Sequence, residues 1–290
     1  MNKFIKNIFF FLLPFLVIIA ASFIYFNLNN NVILKSFKLN NNINTIILGD
    51  SHTTLALNDL YIKNTKNFSN YSESYIYNYH KLLHIHKLNP NIKNLVLGVS
   101  YHNFAKYYDE STFNSDFAGK YFFMLPFESQ KILIENSQNR ISLLKYSIYY
   151  AFNNNFFTDS TSFEGGYHNI DINECANINS IQKRINKQYR NLDPVNSLSK
   201  INIEYFTKII DYCKENNIRL TLVRAPLFME YKNKIPYQIV KNYEDITKNL
   251  EIINFDMEFK SDTLFMPDGD HLKKSGAKLF SKLLNQYLLN

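Results

Sequence analysis

Residues 8–26, IFFFLLPFLVIIAASFIYF, run for 19 positions without a charge. In a bilayer core no water satisfies the backbone, so a run of this kind spans only as a helix. At about 1.5 Å per residue it reaches roughly 28 Å, close to the hydrocarbon thickness. Pro14 is tolerable in a membrane helix. Lys3 and Lys6 precede the run and favour an N-terminus inside, with the remainder outside. The other reading is a cleaved signal peptide ending near Ala20-Ala21-Ser22. The apolar run continues past that point and is long for a signal sequence, which favours an uncleaved anchor. Both readings export the rest of the chain. The expected division is residues 1–30 for the anchor and the start of a polar linker, and 31–290 for one domain.

Beyond the linker, short apolar runs alternate with helical patterns. Strands are expected at 45–48, 93–97, 218–223 and about 250–254, with helices at 72–87, 203–217 and 273–289. Strands alternating with helices predict an α/β fold, a mostly parallel central sheet with helices on both faces. In such a sheet the binding crevice lies beyond the carboxyl ends of the strands, which places Gly49-Asp50-Ser51 and Gly98-Val99-Ser100 on one rim. Residues 104–200 fit the alternation poorly. They are rich in Tyr, Phe and Asn and are expected to form an insertion or cap over that rim.

The net charge of +7 comes with scattered lysines rather than a basic face, so no nucleic-acid partner is expected. The two cysteines, Cys175 and Cys213, lack metal-ligand spacing, and two ordinary thiols are favoured over a disulfide.

A serine hydroxyl is a poor nucleophile until a base removes its proton, and the base is usually a histidine oriented by a carboxylate. Ser51 follows the first strand. Asp268-Gly269-Asp270-His271 stands just before the last helix, with Asp268 and His271 three apart. Taken alone, that acidic pair could simply cap the helix and leave His271 on the surface. Together, LGDSHT and PDGDHLKKSGA resemble the SGNH/GDSL hydrolase family over residues 43–103 and 203–290. The resemblance implies a three-layer, flavodoxin-like fold and an esterase or acyltransferase. Ser51 would be its nucleophile, His271 its base and Asp268 the orienting acid. It also implies an oxyanion hole from the backbone N–H of Ser51, a second-block residue and a third-block side chain.

The middle blocks depart from the family pattern. Ser72 stands where the second block usually has glycine, and Ser100 where the third has asparagine, with Asn103 or His102 as substitutes. These departures resemble the membrane-anchored, DltD-like envelope subset, which implies acyl transfer to or from a surface glycan or another envelope polymer. No metal or organic cofactor is required. A catalytically weak envelope binding or assembly protein is the alternative.

His52 and His102 are candidate pocket residues, and Arg224, after the third expected strand, could pair with an anionic substrate group or make a structural ion pair. Asp50 is expected to be structural. His80 and His84 share a helix face, but without a third ligand at motif spacing they read as solvated histidines rather than a metal site. The glycine pair in residues 164–168 is either a lid segment or a turn.

Overall fold

The computed structural model describes residues 2–28, 36–156, 165–189 and 198–289. Two compact units divide them: residues 1–36 with 113–163, and 37–112 with 164–290. In the first unit lie helix α1 (Asn2–Leu28) and helices α2 (Ser115–Tyr121), α3 (Phe127–Asn136) and α4 (Arg140–Phe156). In the second lie a five-stranded sheet and the helices that flank it.

The sheet holds β1 (Thr45–Leu48), β2 (Thr65–Asn67), β3 (Asn94–Gly98), β4 (Arg219–Val223) and β5 (Ile252–Ile253), in the order β2-β1-β3-β4-β5. Every pairing is parallel. A parallel sheet is covered on both faces, which is why β1 carries Ile46-Ile47-Leu48 in succession and is buried at every position. The chain moves one way from β1 to β2 and the other way to β3. That order puts a topological switch point at the carboxyl ends of β1 and β3, where open α/β sheets hold ligands. Gly49-Asp50-Ser51 and Val99-Ser100 leave the sheet at these two ends.

Side chains alternate between faces along each strand. Ile47, Val96 and Val223 enter one apolar core with Phe265, Leu272, Phe280 and Leu284. The last two belong to the final helix, α5 (Lys274–Leu289). Ile46, Leu95, Leu97 and Leu222 are buried on the opposite parity. Helices α6 (Tyr75–Leu88) and α7 (Lys200–Glu215) pack on each other, with Tyr75 and Phe206 rings 5.2 Å apart.

The structure departs from the sequence expectation in three places. β2 was not foreseen, because its residues Thr65, Lys66 and Asn67 carry no apolar signal; it is an edge strand held by backbone pairing. The helix expected from residue 72 begins at Tyr75, since Ser72 has φ +55°, which no right-handed helix accommodates. The strand expected at 250–254 is the two-residue β5. Residues 104–112 and 165–189 of the expected insertion belong to the sheet unit, and 113–156 to the unit of α1. Residues 157–164 and 190–197 lie outside the described residues.

In the first unit, residues 3–27 form a helix of mean hydropathy 2.6, long and apolar enough to cross a membrane. Its last turn is anchored in the unit: Phe23 and Phe26 stack on Phe123 at 5.4 and 5.5 Å, and Gln130 Nε2 donates to Asn27 Oδ1 at 2.7 Å. α2 and α4 approach closely at Gly119, where a Cβ would stand 2.6 Å from Tyr146 Cβ.

Candidate functional site

The exit from β1 is built for close approach. Gly49 has φ +147°, and a Cβ there would meet Thr53 Oγ1 at 2.4 Å. Asp50 caps the short helix Ser51–Ala56 by accepting from His52 N–H at 2.9 Å. Ser51 is therefore the first helical residue, presented at the switch point. Its Oγ lies 3.0 Å from His271 Nε2. On the far side of that ring, His271 Nδ1 meets Asp268 Oδ2 at 2.8 Å. Burial alone would raise the Asp268 carboxyl, but His271 beside it holds it below its ordinary value. An ionised Asp268 keeps the proton on Nδ1, which leaves the Nε2 lone pair to accept from the Ser51 hydroxyl.

The loop bearing these groups is fixed by its own backbone. Asp268 Oδ1 accepts from the N–H groups of Asp270 and His271 at 3.1 and 3.2 Å, and Gly269 turns the chain at φ +66°. Met266 N–H donates to His271 C=O at 2.8 Å.

Behind His271 lies a second buried layer. The His52 ring is centred 5.0 Å from that of His271 and 4.4 Å from that of His102. His52 Nδ1 stands 3.3 Å from Ser100 Oγ and its Nε2 3.1 Å from Asp270 Oδ1. Asp270 Oδ2 accepts from Arg184 Nε at 2.7 Å and Gln188 Nε2 at 3.0 Å, both on helix Ile178–Tyr189. Burial opposes charge on Asp270, yet His52 and Arg184 keep its carboxyl well below the usual range. Burial likewise lowers His52, but the Asp270 charge prevails and raises it. His102 goes the other way: burial wins over the attraction of Asp50, and the neighbouring His52 adds repulsion.

No protein-family model matches this chain, and no curated protein matches it.

Of the expected site residues, the structure brings Ser51, His271 and Asp268 into one hydrogen-bonded line. Ser72 is exposed in a left-handed turn whose loop returns to β1 through Asn70 N–H to Gly49 C=O at 3.2 Å. A buried ion pair, Lys81 with Glu73 at 2.7 Å, and Lys81 Nζ donating to Phe68 C=O at 2.9 Å pin that loop. Ser100 is buried against His52. Asn103 is committed within the rim: its Oδ1 accepts from Ser100 N–H at 2.7 Å and its Nδ2 donates to Asp50 Oδ2 at 2.9 Å. His102 Nε2 also turns to Asp50, and Tyr108 donates to the same oxygen at 3.0 Å. Asp50 is thus the hub that ties the β1 and β3 loops together. Burial works against its charge, and the contacts with His102 and His52 together keep its carboxyl well below the usual range.

Arg224 pairs with Asp256 at 2.6 Å and donates to Tyr101 at 3.0 Å, the structural ion pair rather than an open anion site. His80 is buried between Tyr79 and Tyr205, not solvated. The lid-or-turn segment, of which Glu164 lies outside the described residues, is strapped to the rim by Gly166 N–H to Ser69 C=O at 2.8 Å and His168 N–H to Thr54 C=O at 2.9 Å. Asp270 and Arg184 join the site beyond the residues expected from sequence. Asp270 sits inside the motif that carries Asp268, whereas Arg184 gives no sequence signal beyond its amphipathic helix.

Proposed function

We propose that this chain is a serine-dependent esterase or O-acyltransferase of the SGNH/GDSL type, acting on an acetyl or similar ester of an envelope glycan. The observation that carries the reading is the Ser51–His271–Asp268 line at the switch point of the sheet. Ser51 Oγ attacks the ester carbonyl while His271 Nε2 takes its proton. The backbone N–H groups of Ser51 and Ser72 are the oxyanion donors of this reading, whereas the Ser100 hydroxyl is turned to His52. His271 then protonates the leaving alkoxide, and water or a sugar hydroxyl resolves the acyl-enzyme by the same route in reverse. Asp268 holds the tautomer. The apolar N-terminal helix, preceded by Lys3 and Lys6, supports a single-pass anchor with the sheet unit outside the cytoplasm.

A weak binding or assembly protein is the second reading. It draws on Asn103, whose side chain is engaged with Asp50 and Ser100 and thus does not supply the family's third donor. The two readings separate on full-length protein in detergent, using a fluorophosphonate probe and p-nitrophenyl acetate. Labelling and hydrolysis that vanish in Ser51→Ala and His271→Ala support the enzyme. Folded wild type that neither labels nor hydrolyses leaves the binder.

A further inference from the structure

The serine relay leaves two buried atoms without use. His52 Nε2 and Asp270 Oδ1 face each other at 3.1 Å, close enough to attract as charges, yet neither makes a hydrogen bond of sound geometry. His52 is 3% exposed and Asp270 1%, so water does not serve them freely. A buried charge pair without a well-aligned hydrogen bond is incompletely satisfied and calls for a reason. Third in the cluster is His271; one ligand atom from each of the three residues lies within 4.8 Å of the others.

We propose that His52 Nε2, Asp270 Oδ1 and His271 Nε2 bind one zinc-class divalent cation, and that the bound cation silences Ser51 by occupying the nitrogen that would take its proton. Ligand atoms about 2.0–2.1 Å from a tetrahedral metal stand about 3.3 Å from one another. The His52–Asp270 pair already has that spacing, and His271 closes the site by a small ring movement. The remaining polar atoms of the three ligands are held from behind, as metal ligands usually are. Ser100 Oγ stands at His52 Nδ1, Arg184 and Gln188 hold Asp270 Oδ2, and Asp268 holds His271 Nδ1. Two imidazoles and one carboxylate suit zinc, copper or nickel rather than calcium or magnesium, which prefer oxygen. The cation replaces any proton between His52 and Asp270, which leaves to solvent, and nothing is oxidised or reduced. It is an inhibitor of the serine chemistry, not its cofactor. The silencing half rests on the proposed serine reading; the binding half does not.

The test is a zinc titration of chelator-stripped full-length protein in detergent, read by calorimetry. One site per chain is expected, retained in Ser51→Ala and weakened at least 100-fold in His52→Gln and in Asp270→Asn. Circular dichroism and thermal melts identify a variant that has lost its fold, and His52→Gln decides if Asp270→Asn has. Fluorophosphonate labelling of Ser51 should fall with the same zinc midpoint as the binding. No binding, or binding that His52→Gln leaves unchanged, overturns the proposal, as does labelling untouched at saturating zinc. A wild type that never labels removes the serine reading, while the calorimetry still decides the cation site.

Discussion

Asp268 and Asp270 stand two residues apart and hold two different histidines: Asp268 Oδ2 lies 2.8 Å from His271 Nδ1, and Asp270 Oδ1 3.1 Å from His52 Nε2. The turn at Gly269 aims neighbouring carboxylates at separate rings. Their surroundings differ as well. The Asp268 side chain is 26% exposed, whereas that of Asp270 is fully enclosed beside Arg184. Asp268→Asn should therefore cost catalysis and spare the fold, lowering kcat by roughly 10²–10⁴ through the wrong tautomer. Asp270→Asn removes the fully enclosed charge that faces the half-buried Arg184 and the buried His52, and should cost about 3–5 kcal/mol of stability. Urea denaturation beside ester turnover separates the two effects. Equal losses of stability would mean the carboxylates are not divided in this way.

Thr53 touches both strand exits. A Cβ on Gly98 would fall 2.4 Å from Thr53 Cγ2, and one on Gly49 2.4 Å from Thr53 Oγ1. Only Gly49 also has a left-handed φ. Gly98→Ala should thus destabilise by about 1–3 kcal/mol through overpacking alone. Pairing it with Thr53→Ser deletes the offending methyl while keeping the hydroxyl that donates to Asp50 C=O at 2.8 Å, and most of the loss should return. Gly49→Ala gains little from the same partner, because its backbone strain remains. A double-mutant cycle in urea tests this. Additive losses for Gly98→Ala and Thr53→Ser would rule out the clash as the cause.

How far the fold and the site could be read from sequence depends on which residues carry a local signal. The strands β1, β3 and β4 announced themselves as short apolar runs, and Gly49 and Gly98 marked their exits. The proposed nucleophile and its partners lay in two short blocks, so Ser51, Asp268 and His271 could be named although Ser51 and His271 are 220 positions apart. Other features had no such mark. β2 is polar and exists only through its pairing with β1. Asn103 could not be told from an oxyanion donor, because its tie to Asp50 is a tertiary contact. Arg184 reaches Asp270 from a helix 86 residues earlier, and nothing in its neighbourhood distinguishes it from a solvated arginine.

The cysteines offer a plain chemical contrast. Both are free thiols, Cys175 partly exposed and Cys213 buried in α7. Burial pushes the Cys213 thiol up to about 12, which keeps it from forming the reactive thiolate. Native protein treated with a maleimide at pH 7.5 should modify Cys175 and leave Cys213 intact, and urea should release the second thiol. Peptide mass mapping reads both. Modification of Cys213 at the rate of Cys175 in folded protein would show that α7 opens far more readily than its packing implies.

His80 makes the fold sensitive to acid. Burial, with repulsion from His84 and Lys208 added, lowers its imidazole from the ordinary 6.5 to about 3. The folded state then holds His80 neutral where the unfolded chain would protonate it. Between pH 6.5 and about 3 the unfolded state binds more protons, so stability falls as pH falls through this window. Above pH 6.5 the residue contributes no pH dependence. The full shift corresponds to a loss on the order of 4 kcal/mol by pH 3. Aspartates held low in the fold, Asp50 and Asp270 among them, lose their contribution only below the ordinary carboxylate range, so between pH 6.5 and 4.5 the histidines dominate, and the share of His80 is the difference from a variant that lacks it. His80→Phe keeps an aromatic ring between Tyr79 and Tyr205 and removes the proton site. The variant should show a flatter fall in unfolding free energy than wild type between pH 6.5 and 4.5, measured by urea denaturation at half-unit steps. Parallel curves for the two proteins would mean that His80 is protonated within the fold and that its burial does not set the acid limit.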